Sequence, residues 1–496
     1  MRAQGSDTSH RHRVGTTGGP WLWCLLLAGP VLAQADPDPP PAAADLRERL
    51  TEREDELRRE DPFSVDFAGR PLFLSGQFEL GYEAFNSGGD TDSARDERWL
   101  EPGLEAELFY GVSAKVAVFA QLRVAAEHNL RGDAAQQRST GFVERGEMWL
   151  NLLDVAGSGL DLEIGRLDFE DDRTWWWDTD LDAVRLSREG RGYDIELAAM
   201  RELAPDRSDR DHVDVEHDGV RRLLLEASWD WAPNHALQLF ALRHRDRSHG
   251  AVPGDRVARD REDPSDAQLT WLGLRASGAW ASDGHGLLGY WIDAASVRGR
   301  EDLAEYDDED DESSRVADTA QLRVRGWAFD AGGTWIAPWA AEPRISVGFA
   351  RGSGDPDPGD DEDRAFRQSG LHGNEIAFGG VQRFGRYGRW LDPELSNLSV
   401  ATLGLGVSLL RSSSLDLVHH RYRLVEPAEA LRDSRFDIPL TGDRDLGQAW
   451  DLVLALEEWK RLEFELSASA FKPGRAYGDA ADGWRLGGSL AVRIAF

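Results

Sequence analysis

From Leu72 to the C-terminus the chain repeats one pattern, short runs in which apolar and polar residues alternate with a period of two. Leu74, Gly76, Phe78, Leu80 and Tyr82 alternate with Ser75, Gln77, Glu79 and Gly81, and Leu104, Ala106, Leu108 and Tyr110 alternate with Glu105, Glu107 and Phe109. The final stretch does the same: Leu486, Gly488, Leu490, Val492, Ile494 and Phe496 share one parity, while Arg485, Gly487, Ser489, Ala491, Arg493 and Ala495 share the other. Successive side chains of a strand point to opposite faces, so each run is a two-faced strand. One greasy face and one charged face suit a sandwich in water or a barrel whose outside is lipid and whose inside is wet.

The connections separate these two architectures. Counting every plausible strand gives nineteen, an odd number for a bacterial single-chain barrel. Treating Ile376 to Phe384 as part of one long connection from Arg351 to Leu398 leaves eighteen, and short turns then alternate with long polar segments. The short turns include Gly111 to Ser113, Asp154 to Ser158, Arg188 to Arg191, Ala331 to Glu342 and Trp459 to Lys460; the long segments include His128 to Thr140, Arg201 to Asp218, Asp246 to Ala267, Arg298 to Arg315 and Val425 to Asp445. Sorting by length is the habit of outer-membrane barrels, with both termini on the short-turn side. In Leu237 to His244 and Leu415 to Leu424 apolar residues fall on both parities, so no lumen face is assigned there.

No interior run approaches the roughly 20 apolar residues of a membrane helix, so any crossing is by strands. The single long apolar run, Trp21 to Ala33, follows Arg2, Arg11 and Arg13 and precedes Ala33-Gln34-Ala35, which reads as a cleaved secretory signal peptide over residues 1–35. The only cysteine, Cys24, lies inside it, leaving a mature chain without disulfides. Residues 36–71 form a Pro/Ala linker and a stretch of helical propensity, Leu46 to Glu60, whose thin stripe of Leu46, Leu50 and Leu57 predicts a solvated periplasmic helix or a disordered lead-in over a docked one. The barrel is expected over 72–496. A net charge of -33 argues against nucleic acid as a partner.

Several separated segments resemble the alginate export porins of Gram-negative outer membranes. They are Gly165-Arg166 with Asp171 to Asp178 and Leu181 to Arg185, Phe366 to His372, Phe384-Gly385-Arg386 through Glu394 to Leu398, and Phe471 to Gly478. The resemblance implies an eighteen-stranded barrel whose arginine-rich constriction passes a polyanionic polysaccharide to the exterior. It further implies outer-membrane lipid and lipopolysaccharide as surroundings, and periplasmic proteins that deliver polymer. Trp459 to Arg461 departs from the family, which can carry a long periplasmic loop there.

By parity Arg123, Arg185, Arg275, Arg323, Arg325, Arg485 and Arg493 face the lumen, where a planar, always-charged guanidinium can take a uronate carboxylate bidentately. Arg166 and Arg173 join this pore-lining set, Arg173 through an infolded loop. Glu105, Glu107, Glu163, Glu196, Glu463 and Glu465 share the inward parity, so structural ion pairs compete with polymer for the same arginines. Trp175, Trp176 and Trp177 offer either an aromatic surface for sugar rings or an anchor for the loop. The mature chain lacks Gly-x-Ser-x-Gly, His-Glu-x-x-His and any cysteine nucleophile, so neither catalysis, cofactor nor metal is expected. The expected function is therefore an anion-selective outer-membrane channel exporting alginate or a similar polymer. A porin of the same fold taking up another small anionic solute, and a plugged structural or adhesion barrel, are the alternatives.

Overall fold

The computed structural model describes residues 43–51, 62–86, 97–130, 139–215, 217–246, 252–282, 284–310, 312–436, 438–478 and 483–496; the signal-peptide stretch lies outside them. Eighteen long strands form the wall. The first six are β1 (Arg70–Asn86), β2 (Glu97–Ser113), β3 (Val116–Asn129), β4 (Ser139–Leu152), β5 (Asp161–Glu170) and β6 (Asp178–Gly190). Then come β7 (Tyr193–Met200), β8 (Arg221–Ala232), β9 (His235–Arg245), β10 (Ser265–Ser282), β11 (Gly286–Asp310) and β12 (Ser313–Ile336). The last six are β13 (Arg344–Gly352), β14 (Leu398–Leu409), β15 (Ser413–Leu424), β16 (Asp445–Trp459), β17 (Leu462–Pro473) and β18 (Arg485–Ala495). Each pairs antiparallel with its neighbours in sequence, and β18 pairs with β1 from Gln77↔Ala495 to Asn86↔Leu486. The sheet is a closed eighteen-stranded barrel, which leaves no wall edge unpaired.

The outer surface follows the parity expected for the seam strands. Leu486, Leu490, Ile494 and Phe496 are exposed on the outside of β18, whereas Arg485 is buried inside. Exposed tryptophans at 229, 231, 280, 339 and 459 lie toward the short-turn rim and Trp327 and Trp450 toward the other, with aliphatic residues between them. This is the aromatic girdle of a lipid-embedded wall.

The interior is not uniformly wet. The connection from Ser353 to Asn397 first pairs Glu362–Asp363 in parallel with Arg323–Val324 of β12 and then folds into the barrel, where it carries a two-residue hairpin, Glu375–Ile376 with Phe384–Gly385, as the reassignment of Ile376 to Phe384 requires. It packs with the short β5–β6 connection into an apolar cluster of Trp175, Trp176, Trp177, Phe366, Leu371, Tyr387, Trp390 and Leu395. This cluster explains the two strands whose parity does not parse. In β9, Leu239 points to lipid while Phe240 and Leu242 point inward onto the cluster, and in β15 Leu417 points out while Tyr422 is buried in the same cluster and Val418 in a second one with Ile376, Phe378 and Phe384.

Two expectations are corrected. Residues Arg298 to Arg315 are not an irregular loop: β11 and β12 continue to Asp310 and Ser313 as a projecting hairpin. Past the bilayer neither face needs to be apolar, so backbone pairing and ion pairs such as Arg315–Glu309 hold it without any alternation in the sequence. The N-terminal helix (Ala43–Thr51) is not solvated either, because Leu46 is 1% exposed and belongs to the same inner cluster as Phe109 and Trp149. Arg49 pairs with Glu189 and Asp161 near the short-turn ends of β6 and β5, which places the helix in the periplasmic mouth.

Candidate conduit and its lining

Two lumen cavities flank the infolded connection. The one nearer the periplasm, of about 420 Å³, is lined by Arg173, Arg275 and Arg383 together with Asp172, Tyr290 and Trp291. The other, of about 490 Å³, is bounded by β1–β3, β17 and β18 on the wall side and by Gln382, Arg383 and Arg389 on the infolded side. Arg383 lines both cavities.

Arg275 on β10 is fully buried, with Nη1 2.6 Å from Asp171 and Nε 2.5 Å from Asp293. Arg173 reaches the same Asp293 at 3.2 Å and lies 4.3 Å from the Trp291 ring, a cation–π contact. Asp330 extends the group: it accepts from the Trp291 indole at 2.8 Å and the Tyr387 hydroxyl at 3.1 Å and pairs with Arg386. Wall strands β10 to β12 are thereby tied to both infolded segments by charge-assisted bonds between buried side chains, where unpaired charge would be costly.

In the second cavity Arg123 contacts Glu101 at 2.5 Å, Glu144 at 3.2 Å and Glu79 at 3.4 Å, and Arg493 shares Glu79 and approaches Glu463. Arg389 hydrogen-bonds Glu83 at 2.8 Å, and Arg383 pairs with Glu170. The lining holds four arginines and six glutamates. With carboxylates outnumbering guanidiniums, this cavity presents local guanidinium forks and no net positive field.

The other nominated residues lie elsewhere. Arg185 faces inward but is clamped by Glu163 at 2.6 Å and Glu196 at 3.2 Å, and Arg485 is buried against Phe436; neither lines these two cavities. Arg166 shares the outer-face parity of exposed Ile164 and sits beside Asp180 on the wall's exterior, next to the Asp182–Leu203 contact of the segment following β7. Arg323 and Arg325 also point outward, on the parity of exposed Trp327. Their expected faces are inverted because buried Val324 and Ala328 turn inward against the apolar cluster, so greasy residues here mark the dry lumen and not lipid.

The tryptophan run anchors its loop. All three rings are 2% exposed. Trp175 donates to the Tyr387 hydroxyl at 2.8 Å, and Trp176 stacks on Phe240 with ring centres 5.1 Å apart. Arg383 and Arg389, which the sequence pattern missed, lie in the long connection, where no periodicity reports a face; the nearby Phe384-Gly385-Arg386 motif was their only signal.

The family model described as alginate export matches residues 90–485. The chain belongs to the alginate export family. As a member it is a β-barrel of the Gram-negative outer membrane, with the closed eighteen-stranded wall described above. It is 29% identical over 378 residues to the alginate production protein AlgE of Pseudomonas aeruginosa, spanning 72% of this chain and 74% of that one. The AlgE of Pseudomonas syringae is 24% identical over 71% of this chain and 75% of its own length. Among solved structures, Acinetobacter baumannii OccAB2 superposes with a TM-score of 0.52 at 10% identity, covering 86% of this chain and 98% of that one, a likeness of fold.

Proposed function

We propose that this alginate export family member carries alginate or a similar uronate polymer across the outer membrane along the two flanking cavities. One observation carries the route: guanidiniums recur from the periplasmic-side cavity, through Arg383, to the second cavity with Arg123, Arg389 and Arg493. Each is already paired with an aspartate or a glutamate, so a uronate enters by displacing a carboxylate of equal charge and leaves when that carboxylate returns. Such exchange keeps every site weak, which a processive polymer requires. No step in it is catalytic.

The test is planar-bilayer conductance with reversal potentials, in the presence and absence of oligouronates. Block by oligouronates that weakens in Arg123→Gln and Arg493→Gln supports the route. Cation selectivity with no block at all would overturn it. A second reading, a barrel held shut by its own infolded segments, is favoured by the apolar cluster that fills much of the lumen. Absence of any conductance in reconstituted protein distinguishes that reading.

A further inference from the structure

The wall carries a second basic feature, on its outside. Directly beyond the lipid-facing Trp327, Phe329 and Phe349, on the long-loop side, outward positions of β11 to β13 are arginines. Arg298 stands opposite Arg325 in the strand register, and Arg300 stands opposite Arg323. Like charges directly opposed across a ladder are destabilising, and here two successive outward pairs repeat the arrangement within about 7 Å of strand. Arg351 adjoins them, opposite Phe329 on β13.

Of these, Arg298, Arg325 and Arg351 line a groove of about 520 Å³ that Trp327 also lines. The carboxylates at its edge are committed elsewhere. Glu362 pairs with Arg364 at 2.9 Å, Glu426 with Arg444 at 2.6 Å, and Asp361 with Arg323 at 2.8 Å. The hydrogen bond from Arg364 holds the Asp360 carboxyl below its usual range, so Arg364 is itself neutralised. Arg298, Arg325 and Arg351 have no ion pair among the described residues, and Arg351 Nε is buried without a hydrogen-bond partner. In a chain of net charge -33, three unneutralised guanidiniums on one outward groove call for an external anion.

We infer that this groove binds the phosphates of an outer-leaflet glycolipid, the lipid A portion of lipopolysaccharide. The ligand is amphiphilic because the groove is: guanidiniums stand at headgroup level, and Trp327, Phe329 and Phe349 continue below them where acyl chains lie. A polymer passing through the lumen meets the opposite side of the same strands, where Val324 and Ala328 are buried.

Native mass spectrometry of the full chain in detergent tests the site with bisphosphorylated, monophosphorylated and dephosphorylated lipid A, with phosphatidylglycerol as a phosphodiester control. The expected result is retention that falls stepwise with each phosphate removed and is weak for phosphatidylglycerol. Arg298→Gln/Arg325→Gln/Arg351→Gln should bind bisphosphorylated lipid A at least about tenfold more weakly while keeping the folded migration of the barrel on unheated gels and oligouronate block of its conductance. Equal binding of dephosphorylated and bisphosphorylated lipid A by the native chain overturns the inference, and that comparison needs no variant to fold. Undiminished lipid A binding by a folded triple variant also overturns it. So does loss of oligouronate block in place of lipid A, which would make the patch part of the polymer's path, or phosphatidylglycerol binding as tight as lipid A, which would make it a general phospholipid site.

Discussion

Replacing Gly273 by valine tests whether the tryptophan run narrows the barrel. Gly273 lies on β10 between inward-facing Trp271 and Arg275, and a Cβ built on it meets Trp176 Cζ2 at 1.8 Å and Cη2 at 2.2 Å. Ordinary contact requires the indole to retreat by about 1.5 Å. The ring is rigid and has little room, since Phe240 and Trp175 hold it at centroid distances of 5.1 and 5.4 Å. Overpacking of this kind costs about 1–3 kcal/mol, which corresponds to a shift of roughly 5- to 150-fold toward the unseated loop. The wall itself should survive, because valine suits a strand and the backbone bonds of Gly273 to β9 and β11 are untouched. Gly273→Val should therefore migrate as a folded barrel on unheated gels yet show a larger single-channel conductance in planar bilayers. A folded variant with native conductance would refute the reasoning, since the seated tryptophan could then not be what limits the opening.

Three further outcomes follow from the lining and the mouth. Arg383→Gln should weaken oligouronate block by roughly tenfold, more than Arg123→Gln does, because Arg383 lines both cavities; titration of block against oligouronate concentration compares the two. Arg275→Ala leaves Asp171 and Asp293 buried without their shared cation and should cost about 3–5 kcal/mol, read as a lower urea midpoint in folded micellar protein. Leu46→Glu puts a charge where Leu46 is buried beside Phe109, so the nine-residue helix should leave the mouth. Limited proteolysis should then cut near residue 50 where the native chain resists.

Much of the fold was legible because a wall strand writes its geometry into alternate residues. β18 is the clearest case: Leu486, Leu490, Ile494 and Phe496 face lipid while Arg485 and Arg493 face inward, as their parity requires. The strand count followed from the sorted connections, and placing Ile376 to Phe384 within a connection agrees with the two-residue hairpin found there. The lining of the two cavities was half legible. Arg123, Arg173, Arg275 and Arg493 line the two cavities, whereas Arg166, Arg323 and Arg325 are on the exterior. Arg383 and Arg389 stayed hidden because their side chains are aimed by an irregular segment, which has no period to read.

The sequence by itself determined a closed set of alternating strands, their number, and which end carries the long connections, since these depend only on local periodicity and on where polarity interrupts it. Only the tertiary structure decided which face of β9, β12 and β15 looks inward. Alternation marks a lipid face only while the other face is wet, and here Trp175 to Trp177 and the folded-in connection dry part of the lumen. Where both sides of a wall are apolar, the residues that tell inside from outside come from a distant part of the chain.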